Sequence, residues 1–451
     1  MNPPAHPIQI LLRDPALERT RVTTFFRLIL FIPHAVWWSI WGIGIVVALP
    51  VQWVWALIVG GSTGMQGFYG RFMRYTVQLY GYMTLAADPW PTGLVGDRDY
   101  PVDVTVPEGT RQNRWTIFFR GILFLPPYFL SAALLGGGGL GGSYSTRTDS
   151  DTTSVNWDSS GSLGVALLVA VGAWFVIMAR GRTNTGLRDV AVYAIGYAAQ
   201  VWGYFTLLTG VYPNSAPALA RPVPGPEHPL RVTVEDDLRR SRLTVFFRLL
   251  LFLPHLVWLV LWSIVIFFVA IINWFAALFT GRTPDALHRF CTAYLRYRLH
   301  VYAFLYLAGN PFPGFVGQPG TYPVDLQADP TVRQNRWITF FRLFLGLPAL
   351  LLASGLGTVM LLGSIGAWFA SLFTGRMPAG LRDLIAYALR YDAQTTGYYL
   401  IVCDRYPYSG PTLATGPVPV GDTAPPPPAS APAGWEPPVP PANWTTNPES
   451  V

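Results

Sequence analysis

The chain has 451 residues, of which 51% are hydrophobic and only 12% carry a charge, and it contains 17 Trp. This composition is typical of lipid-embedded helices and argues against one or two soluble domains. The formal net charge is +7 and every basic residue is Arg, which fits either a GC-rich genome or selection for bidentate phosphate contacts. Cys291 and Cys403 are the only cysteines, so the sequence indicates neither a disulfide framework nor a thiolate metal site.

A motif of two arginines, with two phenylalanines before the second, occurs four times. In copy three it runs from Arg242 to Arg248, and a proline follows six residues later. Arg248 is the only charged residue between Phe246 and Phe279, which is more apolar length than a soluble core helix uses. The equivalent pairs in the other copies are Arg21 and Arg27, Arg114 and Arg120, and Arg336 and Arg342.

A second landmark follows each apolar run, a tyrosine with Gln or His three residues later. These tyrosines are Tyr75, Tyr197, Tyr297 and Tyr391. Copies one and three are offset by 221 residues and copies two and four by 222, so a unit of two repeats was duplicated. We predict repeat 1 at residues 1–100, repeat 2 at 101–222, repeat 3 at 223–322, repeat 4 at 323–410 and a tail at 411–451.

Repeat 2 carries 28 additional residues within its apolar run, a Gly-rich, Ser-rich and acidic insertion at about 136–162. A polar insertion of this size cannot lie inside a bilayer, because its backbone groups would lack hydrogen-bond partners there. We therefore predict a solvent-facing turn in the middle of every apolar run, so that each run is a hairpin of two short transmembrane helices. Gly42 and Gly44 in repeat 1, and Gly355 and Gly357 in repeat 4, are compatible with such a turn.

The third helix of each repeat is predicted to be amphipathic. In repeat 3 it places Arg289, Arg296 and Arg298 among Tyr and Phe residues, a pattern typical of a helix in the headgroup region with its aromatic side chains in lipid. This placement gives about 8 spans, and a spanning third helix would give up to 12. The expected fold class is an all-α multi-pass membrane protein of four tandem repeats, each a short transmembrane helical hairpin plus an amphipathic interfacial helix.

Short segments of alternating hydrophobicity between the repeats predict β-strands, which could pair into one small cytoplasmic sheet. They lie near residues 8–11, 102–106, 230–234 and 324–326. The Pro-rich tail is predicted to be a disordered, partly polyproline-II extension, either a spacer or a docking segment for a protein partner. Because arginines stand at both ends of the apolar runs, the positive-inside rule predicts that the N- and C-termini are cytoplasmic.

The sequence resembles a family of bacterial membrane proteins, domain of unknown function 4389. The similarity lies in the Phe246–His255 run, the Phe279–Pro284 step and the closing Asp404–Pro407 segment, and it covers roughly residues 8 to 410. The resemblance implies a location in the bacterial, typically actinobacterial, cell membrane. It implies no catalytic residue. Repeat 1 lacks the Gly-Arg-x-Pro step, and repeat 2 has Pro127 where repeats 1 and 3 have His.

Seven arginines are the candidate contacts for lipid headgroups or other anions. They are Arg27, Arg120, Arg248, Arg342, Arg282, Arg376 and Arg296. His34 and His255 follow the helix-start prolines and are interpreted as capping or packing residues, because a metal site needs further ligands at defined spacing.

No arrangement of nucleophile and base, or of paired carboxylates, is present in the sequence, so we predict a non-enzymatic protein without cofactor or metal. The favoured function is a membrane scaffold that interacts with anionic lipid headgroups or a protein partner, and no nucleic-acid partner is expected. The alternative is a transporter or channel built from duplicated repeats, since internal repeats often frame a transport path.

Overall fold

The computed structural model describes residues 6–13, 17–60, 64–91, 96, 99–107, 109, 111–136, 164–217, 228–330 and 333–412. The helices of the first unit are α1 (Arg21–Val59), α2 (Gln66–Met83), α3 (Arg114–Phe118), α4 (Arg120–Leu135), α5 (Val165–Arg180) and α6 (Thr185–Phe205). Those of the second unit are α7 (Arg242–Phe246), α8 (Arg248–Thr280), α9 (Asp285–Leu305), α10 (Arg336–Leu345), α11 (Leu347–Thr374) and α12 (Ala379–Tyr399). The strands are β1 (Ile10–Leu12), β2 (Val102–Val104), β3 (Leu230–Val234) and β4 (Val324–Ala328). The predicted tail lies outside the described residues.

The prediction of helical hairpins is wrong for repeats 1, 3 and 4. Each of their apolar runs is one continuous helix, of 39 residues in α1, 33 in α8 and 28 in α11. The glycines interpreted as turns lie inside these helices, where each costs only about 1 kcal/mol relative to Ala. Gly355 allows close packing instead, because a Cβ there would lie 2.8 Å from Leu168 Cδ1 of α5.

Repeat 2 follows the same plan, although its long helix is interrupted. α4 ends at Gly136 and α5 begins after Gly164, and a Cβ built on Gly164 would lie 2.0 Å from the backbone nitrogen of Gly136. The chain therefore leaves the helix at one point and re-enters at nearly the same point. α5 then ends beside the start of α1, where Arg19 N–H donates to Gly181 O (2.9 Å). The insertion itself lies outside the described residues.

The long helices form one layer of alternating direction. The end of α1 meets the start of α3, where Gln112 N–H donates to Gly60 O (3.3 Å), so α1 is antiparallel to α3–α5. In the second unit α7–α8 is antiparallel to α10–α11 by the same contacts, with Arg240 N–H donating to Gly375 O and Gln334 N–H to Gly281 O. α11 also packs against α4 and α5, which joins the two units.

The third helix of each repeat is an interior helix rather than an interfacial one, so that prediction is also wrong. α2, α6, α9 and α12 form a core layer beneath the long helices. In α2, Phe72 and Tyr75 face α1, whereas Gly70, Arg74 and Gly81 lie on the opposite side and face β2 and the segment after it. The aromatic side of these helices is therefore covered by the long helices and not by lipid.

The four predicted strands are confirmed, but they form two sheets instead of one. β1 pairs antiparallel with β2, with Ile10 opposite Val104, and β3 pairs antiparallel with β4, with Val232 opposite Leu326. Each sheet lies across the two core helices of its own unit. The protein thus has three layers, in the order long helices, core helices and strands.

The two units are related by reciprocal contacts around α6 and α12. A Cβ on Gly186, at the start of α6, would touch Ser409, and a Cβ on Gly380, at the start of α12, would touch Ser215. Tyr193 and Tyr387 hold these segments in place by donating their hydroxyls to the carbonyls of Ser215 and Ser409, each at 2.6 Å. The duplication seen in the sequence is therefore also a structural duplication.

The outer side of the long-helix layer is apolar. α1, α8 and α11 are long and apolar enough to cross a membrane, and only 17% of the most apolar window of α1 and of α8 is buried in the protein. Their exposed side chains are mostly Val, Ile, Leu, Phe and Trp. These helices are compatible with a membrane protein.

Candidate functional site

The second arginine of each repeat motif is buried and caps the core helix of its own repeat. Arg27, Arg120, Arg248 and Arg342 are at most 3% exposed. Each guanidinium donates to at least two backbone carbonyls at the C-terminal end of the core helix. It also lies over an aromatic ring there, between 4.2 and 4.5 Å from the ring centroid. A cation at this position also interacts favourably with the negative end of the helix dipole.

Arg342 shows the full set of contacts. It donates to Tyr398 O (2.6 Å), Cys403 O (2.9 Å), Gln334 Oε1 (2.9 Å) and Asp404 Oδ1 (2.7 Å). Arg342 is only 1% exposed, and these hydrogen bonds direct its guanidinium into the protein and away from the surface where a lipid headgroup would bind. Arg27, Arg120 and Arg248 are buried in the same way.

The four caps differ in their anionic partner. Arg27 pairs with Asp88 at 2.9 Å, and Arg342 pairs with Asp404 at 2.7 Å. The equivalent positions in repeats 2 and 3 are Gly210 and Asn310, and within the described residues neither Arg120 nor Arg248 forms an ion pair. Their Nη2 atoms are buried without a hydrogen-bond partner. Backbone carbonyls and an aromatic ring thus provide most of the contacts at these two caps.

The first arginine of each motif joins neighbouring long helices. Each one donates its Nη2 to a carbonyl in the last turn of the antiparallel neighbour, at 2.9 to 3.2 Å. The pairs are Arg21 with Ala179, Arg114 with Ile58, Arg242 with Phe373 and Arg336 with Phe279. The spacing of the two arginines is explained by these two contacts. The first arginine connects neighbouring long helices, and the second caps the core helix of its own repeat.

The remaining candidates divide into two groups. Arg296 donates to Leu326 O (3.0 Å) of β4 and lies 3.3 Å from Asp325, so its guanidinium is bound within the protein. Arg282 and Arg376 are exposed just after α8 and α11. Of the seven predicted arginines, only these two remain available to an external anion.

Exposed arginines surround the long-helix layer at both of its ends. One group lies near the starts of α1 and α7 and the ends of α5 and α11. Its exposed members are Arg21, Arg180, Arg182, Arg239, Arg242 and Arg376. The other group lies near the ends of α1 and α8 and the starts of α3 and α10, and its exposed members are Arg111, Arg114, Arg282, Arg333 and Arg336. We call these residues the arginine rim.

The two histidines after the helix-start prolines are packing residues. His34 Nδ1 lies 2.7 Å from Tyr75 Oη, and His255 Nδ1 lies 2.9 Å from Tyr297 Oη. These hydrogen bonds connect the long helix to the core helix in repeats 1 and 3. In the described part of the chain, no group of three or more His, Cys, Asp or Glu residues is arranged to hold a metal ion.

Comparison with known proteins agrees with this repeat structure. The profile of the domain of unknown function 4389 matches residues 21–94, 242–316 and 336–409. Each match contains one buried arginine cap and its core helix. Repeat 2 lies between the matched ranges, although it forms the same contacts around Arg120. No curated protein and no solved structure matches the chain. Three copies of the domain of unknown function 4389 therefore lie along the chain.

Proposed function

We propose that this protein is a non-enzymatic membrane scaffold that lies flat in one leaflet. In this proposal the long-helix layer faces the acyl chains, the arginine rim binds anionic headgroups, and the strand layer faces water. The observation that carries the proposal is the separation of apolar and charged groups onto opposite sides of the three layers. Three further features support the flat orientation over an upright one.

The first feature is the length of the exposed apolar surface. The 39 residues of α1 correspond to about 58 Å, whereas the hydrocarbon core of a bilayer is about 30 Å thick. Exposed apolar side chains continue from Val22 near the start of α1 to Val59 at its end. An upright α1 would therefore leave much apolar surface outside the hydrocarbon, and a helix lying in the leaflet plane would not.

The second feature is the position of the charged strand layer. α2 packs along α1 between residues 27 and 45, and β2 lies directly behind α2. Asp103 of β2 forms ion pairs with Arg13 and Arg74, and the Arg13 side chain is 43% exposed. An upright orientation would put these charges and the open sheet edges at the depth of the hydrocarbon, where neither is tolerated when exposed to lipid.

The third feature is the arginine rim together with the break in the long helix of repeat 2. An upright orientation would place basic groups on both membrane faces, against the positive-inside rule. It would also make the polar insertion leave the helix near mid-membrane, between Gly136 and Gly164. A flat orientation puts the whole rim among headgroups of one leaflet. We assign this to the cytoplasmic leaflet, where anionic lipids attract each Arg by about 1 kcal/mol.

The flat orientation replaces the eight-span arrangement expected from the sequence, because that arrangement required hairpins. It also favours the scaffold over the transporter or channel. The possible partners remain anionic lipid and, for the Pro-rich tail, a protein with an aromatic groove.

Sided cysteine labelling tests the orientation. Glu18 and Gly64 are exposed at opposite ends of α1, so Glu18→Cys and Gly64→Cys report on the two ends separately. Burial raises the pKa of both native thiols, Cys291 and Cys403, to about 12, so they should not compete for a maleimide reagent. We expect both introduced cysteines to be labelled in inverted membrane vesicles and neither to be labelled in intact cells.

Two other outcomes would contradict the proposal. Labelling of one end from each side would show that α1 crosses the membrane. Recovery of the protein in the soluble fraction, with both ends labelled in a lysate, would show that another molecule and not lipid covers the apolar layer. Ser354→Cys, in the exposed middle of α11, serves as a further site and should stay unlabelled in intact cells.

A further inference from the structure

The first unit contains a cavity of about 660 Å³ between α1, α2, α4 and α6. This volume lies within the range of about 300–1,000 Å³ that is usual for small-molecule sites. Its lining contains no charged side chain, and its polar groups are a few hydroxyls, including those of Thr76, Tyr80 and Ser131. An occupant of this cavity would therefore be apolar and uncharged over most of its length.

The cavity adjoins the apolar outer side of the long-helix layer. Ile43, Val46 and Val47 of α1 line it and are between 66 and 69% exposed. Trp202 of α6 lines it from the other side and is 47% exposed. In the flat orientation proposed above, this side faces the acyl chains of the leaflet.

The second unit differs at the corresponding place. Thr76 and Ala198 of the cavity each directly follow the landmark tyrosine of their repeat. The residues that follow the equivalent tyrosines in the second unit are Arg298 and Asp392. Arg298 and Asp392 form an ion pair at 3.0 Å between α9 and α12, and Arg298 also donates to Thr396. The position of Thr396 is taken by Trp202 in the first unit. The two units therefore diverged at this interface, one toward an ion pair and one toward an apolar space.

We propose that the cavity of the first unit binds one acyl chain of a membrane lipid. The chain enters from the leaflet beside Ile43 and Val47 and lies against Ala198 and Trp202. The lack of charge in the lining excludes the headgroup, which stays at the membrane surface. This inference rests on the proposed orientation, because the flat placement is what brings the cavity opening to the acyl chains.

A glycine pair in the long helices provides matched variants. A Cβ on Gly42 would meet only Phe72 Cζ, at 3.9 Å, so the Gly42→Leu side chain can extend into the cavity. Gly172 of α5 has no heavy atom within 4 Å of an added Cβ and does not line the cavity, so Gly172→Leu is the control. Both changes replace a helix-interior glycine with a better helix former, and we expect both variants to fold.

The experiment uses the full chain in vesicles of anionic and zwitterionic phospholipid that contain a palmitic acid analogue with a photoreactive diazirine group. Crosslinked residues are mapped by peptide mass spectrometry. The expected result is strong labelling of peptides from α1 and α6 around Val47 and Ala198. We expect this labelling to be about tenfold lower in Gly42→Leu, because the leucine displaces several methylene groups of the bound chain, and unchanged in Gly172→Leu.

A double variant of the second unit tests whether the ion pair accounts for the difference between the units. Arg298→Thr combined with Asp392→Ala removes the ion pair and should create a second labelled site between α9 and α12. Labelling spread equally over the exposed faces of α1 and α8, and insensitive to Gly42→Leu, would overturn the acyl-chain site while leaving the membrane orientation intact. Absence of the protein from the vesicles would instead overturn the proposed function itself.

Discussion

Replacement of Arg342 distinguishes a buried helix cap from a headgroup contact. The Arg342→Met variant loses four hydrogen bonds and leaves the carbonyls of Tyr398 and Cys403 and the carboxylate of Asp404 without their donor. Breaking a buried charged network of this kind costs about 3–5 kcal/mol. We expect the free energy of unfolding to fall by that amount. Arg342→Lys keeps the charge but cannot reach all four acceptors, so a smaller loss of about 2 kcal/mol is expected.

The assay is guanidinium unfolding in detergent micelles, followed by Trp fluorescence. Arg376→Met is the matched control, because Arg376 is exposed in the arginine rim. It should change the free energy of unfolding by less than about 0.5 kcal/mol, while weakening binding to anionic vesicles by about 1 kcal/mol, or about fivefold. The reasoning would be refuted if Arg342→Met unfolded like the wild type and instead lost its affinity for anionic vesicles.

Three further variants test packing and pH dependence. Gly355→Val should lower stability, because its side chain would meet Leu168, whereas Gly357→Ala, which has open space, should not; thermal unfolding of the two proteins compares them directly. Burial lowers the pKa of His228 from about 6.5 in the unfolded chain to about 4 in the folded protein. The contribution of the neutral histidine to the free energy of unfolding is therefore fully present above about pH 6.5 and is lost as the pH falls toward 4. The expected loss is about 3.5 kcal/mol, at about 1.4 kcal/mol for each pKa unit. His6 occupies the same place in repeat 1, and burial also lowers its pKa. His228→Gln should therefore reduce the pH dependence of the unfolding midpoint without abolishing it, and an unchanged dependence would count against this cause.

The sequence predicted the repeats well, because internal similarity does not depend on the surroundings of a residue. The duplication, the strands and the family all follow from residues such as Arg248 and Tyr297 that recur at fixed spacing. The spacing did not reveal what these residues contact. Arg248 at the start of an apolar run is equally consistent with a headgroup contact and with a cap on a buried helix, and only the path of α9 distinguishes them.

The hairpin prediction failed for a specific physical reason. A polar insertion must lie outside the hydrocarbon in either orientation. The hairpin follows from this constraint only if the apolar run stands upright, so that its middle is either a turn or deep in the bilayer. The adjacency of Gly136 and Gly164 removes the need for a turn, and a helix that lies along one leaflet satisfies the same constraint. Hydrophobic length alone does not distinguish these orientations.

The core helices were misplaced for a related reason. Rows of Tyr and Arg on α9 resemble a surface helix at a membrane, but Tyr297 is covered by α8 and Arg296 is held by β4. An amphipathic sequence shows that two sides of a helix differ in polarity. It does not show whether the polar side contacts lipid headgroups or a β-strand of the same protein.

The central claim, that the long helices lie flat in one leaflet, is tested most directly by the depth of spin labels along the exposed face of α8. Suitable sites are Leu249, Val257, Ile264, Ile272 and Phe279, all more than half exposed. Power-saturation measurements with oxygen and a polar nickel complex give the depth of each label. The flat orientation predicts similar, shallow depths of about 5–10 Å at all five sites. A depth that is greatest at Ile264 and decreases toward both ends would contradict it.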